Sequence, residues 1–228
     1  MRSILPSPPR PGAPRIQPMD DPKPSGTGKT LAALLGIPIA AVASLFVTIP
    51  ADESGRTVKA TVQADGSIAM QHVAGKQYLR AYLDMVGVAT ACDGITKGIR
   101  LGMTFTEAQC AAMLERELMA HAVPILKCVP KLYGREHQVL PAIGLTYNIG
   151  TAGFCKSSIA KLWNAGQWRA GCDRFPLFNK ATGNAAWARK QQAVGERCEP
   201  ISGGRFRCSV KGLTNRRARE RAECLKGL

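Results

Sequence analysis

Ala81-Tyr82-Leu83-Asp84-Met85-Val86-Gly87-Val88-Ala89-Thr90-Ala91-Cys92-Asp93-Gly94 is the stretch that decides how this chain is read. It sets an acid, Asp84, six residues before a threonine, Thr90. Gly87, Gly94, Gly98 and Gly102 punctuate β-branched and small residues, as turns do in short antiparallel strands. The expectation is a β-ribbon from Asp84 to about Arg100, preceded by a short helix through Met70 to Leu83.

Working outward toward the N-terminus, residues 51–68 are polar with scattered β-branched positions and read as a linker. Before them, Thr30 to Pro50 reads TLAALLGIPIAAVASLFVTIP, an uncharged run of about 20 residues, long enough to cross a hydrocarbon core. Lys or Arg at positions 2, 10, 15, 23 and 29 precedes it, which places that end in the cytoplasm and the rest outside. Alanines, Gly36, Ser44 and Pro38 dilute its apolar character, so its hold on a bilayer is expected to be marginal. A tether that later lets go, a signal cleaved after Ala41-Val42-Ala43 and a retained anchor all remain open. Residues 1–29 are proline-rich and expected to be disordered. Gly26-Thr27-Gly28-Lys29-Thr30 mimics a phosphate loop, but Lys23 stands where its first glycine belongs.

Toward the C-terminus, Thr104-Phe105-Thr106-Glu107 reads as a capping box opening a helix, with Ala111, Leu114 and Leu118 on its inner face. A second helix is expected from about Glu136, with Val139, Ile143 and Tyr147 on one face and an end at Gly150. The net charge is +15, and about +12 of it lies after residue 50, so a polyanionic partner is expected. All eight cysteines lie after residue 90, which fits disulfides in an exported domain. None has C-x-x-C spacing, and His72, His121 and His137 form no ligand pattern with them, so neither metal nor cofactor is expected. Export, the cysteines and the lack of interleaved aromatics argue against a nucleic-acid partner. A cysteine peptidase built on Cys92 with His121 or His137 lacks a third, orienting group.

The A-Y-x-D-x-x-G-x-x-T pattern over 81–90 resembles the catalytic ribbon of the phage-type lysozymes, glycoside hydrolase family 24. Leu145-Thr146-Tyr147-Asn148-Ile149-Gly150 is similar to that family's A-Y-N-x-G helix end bordering the glycan cleft. Trp163-Asn164-Ala165-Gly166, Phe178-Asn179-Lys180-Ala181-Thr182-Gly183 and Gly212–Arg221 look like further landmarks, and the resemblance spans about 74–228. It implies a mainly helical α+β lysozyme-like domain with a small β-ribbon lobe, occupying 69–228. The activity implied is hydrolysis of the bond between N-acetylmuramic acid and N-acetylglucosamine of peptidoglycan, causing host lysis. The apolar segment resembles the signal-arrest-release tethers of some endolysins, implying an inner-membrane stage, then a periplasmic, monomeric enzyme.

On that resemblance, Asp84 takes a water-positioning or charge-stabilising role, Thr90 orients water, and Tyr147 and Asn148 line the glycan site. The family's glutamate, however, does not appear in place. Counting back nine residues from Asp84 reaches Gly75, and one residue of slippage reaches Ala74. Asp93 is then the local candidate for the acid, if it points into the cleft. Arg216, matching the arginine that pairs with that glutamate, is left to Asp93 or Asp84. An absent acid also keeps open a lytic transglycosylase or a non-hydrolytic peptidoglycan-binding protein. Cys198 and Cys208 flank Pro200 and Gly203-Gly204 in an insertion and are expected to close a local hairpin. Among the many pairings of the other six, Cys110 with Cys224, Cys155 with Cys172 and Cys92 with Cys128 are carried forward.

Overall fold

The computed structural model describes residues 28–84 and 87–228, so the leader up to residue 27 lies outside the described residues. The apolar run forms two helices, α1 (Gly28–Leu35) and α2 (Ile39–Glu53). The break has local causes: Gly36 takes a φ of +68°, and Pro38 sits at the N-cap of α2. Among the described residues no helix is long and apolar enough to cross a membrane. Leu31, Leu35, Val42, Leu45, Phe46 and Ile49 are instead buried in the main core.

Residues 51–53 close α2, and residues 54–74 are neither linker nor helix. After α2 the chain forms an antiparallel hairpin, β1 (Thr57–Val62) and β2 (Ile68–Ala74). Val58, Ile68 and Met70 point inward by the two-residue period of a strand and join the core between α2 and α3 (Glu107–Cys128). The ribbon itself is short: β3 (Tyr82–Leu83) pairs with β4 (Ala89–Thr90), Tyr82 opposite Thr90. Ala81, Ala91, Cys92, Ile95, Phe105, Cys110 and Met113 make a second, smaller core beneath it, which defines the ribbon lobe.

The helix cap falls two residues later than expected. Thr106 is the N-cap of α3 and exchanges hydrogen bonds with Gln109, while Thr104 bridges to Arg80 and Glu107 turns to Arg56. Leu114, Leu118, Ala122 and Ile125 of α3 are fully buried against α4 (Glu136–Cys155). Every residue of α4 from Gln138 to Thr146 is buried, the mark of a central helix rather than a surface one. Gly150, expected to end it, kinks it instead at a φ of +74°. Then follow α5 (Ser158–Asn164), α6 (Trp168–Cys172), β5 (Lys180–Gly183), α7 (Ala185–Ala193), β6 (Cys198–Ile201), β7 (Arg205–Ser209) and α8 (Lys211–Leu225). The three late strands form one antiparallel sheet in the order β5-β7-β6. Helix α8 packs on α4 and α6, and the helix expected over 70–83 does not form, its first residues belonging to β2.

Four disulfides are formed, and three of the expected pairings are corrected. Cys92 joins Cys110, Cys128 joins Cys155 and Cys172 joins Cys224, with Cα separations of 5.5, 5.7 and 5.7 Å. Each couples elements that tertiary packing brings side by side: ribbon to α3, the ends of α3 and α4, and the ends of α6 and α8. Cys198 and Cys208 face each other across β6 and β7 and are bonded.

Glu115 on α3 is half-buried, with Oε1 lacking a hydrogen-bond partner. Burial pushes its carboxyl up to about 7. A raised acid stabilises the fold fully below its unfolded value, near 4.5, and loses that contribution as pH rises through 7. Glu115→Gln should therefore raise Tm at pH 8 by roughly 2–4 °C, the shift expected for about 1 kcal/mol in a chain of this size, and change it little at pH 5. Thermal melts at the two pH values check this; an equal shift at both would exclude the titration as the cause.

Candidate active site

The last turn of α2 presents two carboxylates, Asp52 and Glu53, to Arg216 of α8. Arg216 Nη1 donates to Glu53 Oε1 at 2.6 Å, and Nε lies 3.2 Å from Asp52 Oδ2 and 3.2 Å from Glu220 Oε1. Its Nη2 donates to the Gly144 carbonyl at 2.8 Å, so the guanidinium is held from α4 as well. Burial alone would lower the Arg216 pKa, but the charge of Glu53, then Asp52 and Glu220, outweighs it and the pKa is raised. Glu53 keeps 24% of its side-chain surface exposed while Arg216 keeps 5%. An acid held at one oxygen and still partly exposed can meet a substrate.

The residues that flank Glu53 come from elements far apart in sequence. A Cβ at Gly94 would lie 3.7 Å from Glu53 Cβ and 3.9 Å from both Glu53 Oε2 and Tyr147 Cε1. Gly94 also takes a φ of +84°, so a side chain there would be strained, while its Cβ would meet these neighbours at ordinary van der Waals distance. The Tyr147 hydroxyl donates to the Asp93 carbonyl at 3.2 Å, tying α4 to the ribbon turn. Its pKa is raised by burial first, then by the charges of Glu53, Glu117 and Asp93, with Arg216 opposing.

Asp93 does not enter the cleft. Its side chain is fully buried, Oδ1 accepts from Arg56 Nε at 2.7 Å and from Ser54 Oγ at 2.8 Å, and Oδ2 accepts from Arg56 Nη2 at 2.7 Å. Arg56, 2% exposed, also donates to Glu107 at 2.6 Å, and Gln77 donates to the second Glu107 oxygen. A carboxylate with both oxygens engaged by a buried guanidinium is a structural anchor and not a proton donor to sugar. The expectation that Asp93 supplies the acid is corrected on that ground.

Asp84 sits half-exposed at the ribbon turn, where Oδ1 accepts from the Val88 amide at 2.8 Å. Thr90 is buried on β4, its hydroxyl donating to the Val88 carbonyl at 3.1 Å. Tyr147 is half-buried and Asn148 exposed on α4. Arg216 pairs with neither Asp93 nor Asp84, the two partners expected for it, but with Glu53. Among the described residues no group of three or more His, Cys, Asp or Glu is placed to hold a metal ion.

Glu53 is a helix-end glutamate that the count back from Asp84 does not reach. It closes α2, and the β1–β2 hairpin lies between it and the ribbon. Spacing therefore fails as a signal; a helix end carrying Asp52-Glu53 is the signal that could have found it.

A helical α+β domain with a small ribbon lobe and a helix-end glutamate held by a buried arginine defines the class, a lysozyme-like fold. Residues 74–220 match the phage lysozyme family model, and the chain belongs to that family. The matched span begins at the end of the hairpin, leaving Glu53 upstream. The chain is similar to a SAR-endolysin of Enterobacteria phage PA-2, 29% identical over 205 residues, which cover 90% of this chain and 98% of that protein. The SAR-endolysin of Pseudomonas phage phiKMV is 29% identical over 147 residues, 64% of this chain and 78% of that one. Among solved structures, the active form of the P1 phage endolysin Lyz is 22% identical, with a TM-score of 0.49, over 65% of this chain and 76% of that one.

Proposed function

We propose that the protein is a phage muramidase that hydrolyses the N-acetylmuramic acid to N-acetylglucosamine bond, with Glu53 as the general acid. The observation that carries this reading is the Arg216–Glu53 pair opening beside Gly94 and Tyr147. Glycoside hydrolysis uses one carboxylic acid to protonate the leaving oxygen and a second group to position water or stabilise the oxocarbenium-like state. In this site Glu53 gives the proton, Asp84 serves as the second carboxylate and Thr90 orients the water. Tyr147 and Asn148 border the sugar. Arg216 fixes the Glu53 rotamer, and the positive domain draws the anionic wall.

Glu53 offers the acid whose absence favoured a non-hydrolytic binder, and the ends of the released products distinguish hydrolysis from transglycosylation. We also propose that residues 30–50 hold the newly made chain at the inner membrane until it leaves for the periplasm. The same apolar side chains that suit a bilayer are the ones α1 and α2 bury in the core.

Mass analysis of fragments released from purified sacculi by the full chain tests the activity. The full chain is needed because α1 and α2 supply core residues. Disaccharide-peptides ending in a reducing, hydrated muramic acid are expected. Anhydro ends would replace the hydrolase by a transglycosylase, and no fragments at all would leave only wall binding.

A further inference from the structure

Two neighbouring arginines of α8 reach the same acid behind Glu53. Glu220 accepts at Oε1 from Arg216 Nε at 3.2 Å and from Arg217 Nη2 at 2.9 Å. Its other oxygen, Oε2, is buried without a hydrogen-bond partner among the described residues, and so are Nε and Nη1 of Arg217. Gly144 of α4 closes the far side. A Cβ there would lie 3.1 Å from Glu220 Oε1, closer than side chains ordinarily pack.

The charges around this acid are matched one to one. Arg219 takes Asp52, Arg216 takes Glu53, and Arg217, fully buried, takes Glu220. Without the Glu220 charge, the Arg217 guanidinium is a buried cation with no counter-ion of its own. It is then drawn toward Asp52 and Glu53, which already act on it electrostatically. Burial pushes the Glu220 carboxyl up to about 7 against the pull of Arg217 and Arg216, and Asp52 adds to the rise. Glu136 of α4 and Arg219 and Glu223 of α8 share with it and Asp52 a recess of about 330 Å³. Glu223 is itself engaged by His137 and Lys226.

We propose that Glu220 is a positioning residue for the glycosidic step: its carboxylate directs Arg216 onto Glu53, keeps Arg217 away from it, and gives up that hold on taking up a proton. The inference rests on the muramidase reading and adds to it a residue that touches neither the substrate nor the reacting atoms. With Glu220 ionised, Arg216 Nε is fixed and Nη1 meets Glu53 Oε1 at 2.6 Å. With Glu220 neutral, Arg217 competes with Arg216 for Glu53, and the acid loses its single orientation.

The test is the pH dependence of kcat and KM of the full chain on glycan strands, for the wild type and for Glu220→Gln. The amide keeps the shape and the acceptor oxygen shared by both arginines, and it stands for the protonated form. Wild-type kcat should rise as pH is raised through a midpoint near 7. The rise should be about tenfold with KM changed less than about twofold, because a displaced catalytic group slows the reaction without weakening binding. Glu220→Gln should keep the low-pH kcat at pH 8 and lose the midpoint. Gly144→Ala retains every charge but crowds Oε1, so it should also lower kcat at pH 8, by about threefold, and it serves where the amide variant does not fold. A midpoint that survives Glu220→Gln, or wild-type kcat at pH 8 in both variants, overturns the role. Failure of the wild type to cleave any strand would instead overturn the muramidase reading. The ¹⁵N resonance of Arg216 Nε then decides Glu220 without turnover: a shift with a midpoint near 7 that Glu220→Gln abolishes upholds the coupling, and a flat titration rejects it.

Discussion

Glu53→Gln should lower kcat for glycan hydrolysis by about 10²- to 10⁴-fold, the range that a positioned proton donor contributes. Glutamine keeps the shape and can still accept from Arg216 Nη1, so Arg216 remains partnered and the melting temperature should move by no more than a few degrees. KM should change little, because the loss concerns a group needed in the transition state rather than in binding. Turbidity clearing of sacculi and reducing-end assays provide the measurement. A Glu53→Gln chain that clears sacculi at the wild-type rate would remove Glu53 from the reaction and return the search to Asp84 and its neighbours.

The opposite signature is expected at Asp93. Asp93→Leu strands the buried Arg56 guanidinium opposite an apolar group, and breaking a buried pair from one side costs about 3–5 kcal/mol. In a domain of this size that corresponds to a fall in melting temperature of roughly 10 °C. The double variant Arg56→Leu with Asp93→Leu removes both charges and should be less destabilised than the sum of its two single changes, by about 2 kcal/mol or more. Glu107 keeps Gln77 as a donor in that variant and is partly exposed, so it is not stranded in turn. Thermal melts of the four chains give the coupling. Simple additivity would show that the pair contributes little, and loss of activity at unchanged stability would restore a chemical role to Asp93.

The two expectations divide the residues around the ribbon turn by what they touch. Glu53 faces outward beside a glycine and keeps part of its surface in solvent. Asp93, adjacent in the chain to that same glycine, faces inward onto Arg56. Side chains alternate along an extended backbone, and sequence alone does not say which way the alternation starts.

Much of the architecture was legible because it follows from local pattern. The α3 stripe of Ala111, Leu114 and Leu118 and the start of α4 at Glu136 rest on helical periodicity. The Cys198–Cys208 hairpin was marked by its Pro and Gly residues. The β1–β2 hairpin left a signal too, in Val58, Ala60 and Val62 answered by Ile68, Met70 and His72 around Asp65-Gly66. An Asp-Gly pair between alternating strands is a strong hairpin mark, and it was overridden by the polar composition of the segment.

By itself the sequence determined the family, through a ribbon motif and a Tyr-Asn helix end whose spacing is internal to continuous elements. It also determined an uncharged stretch long enough for a membrane, since that property needs only composition. Tertiary structure alone decided where that stretch goes in the folded chain, which cysteines meet, and which carboxylates Arg216 holds. Those outcomes depend on contacts between residues such as Glu53 and Arg216 that are distant in the chain. Their distance in space is set by the packing of α2, α4 and α8 rather than by any count along the sequence.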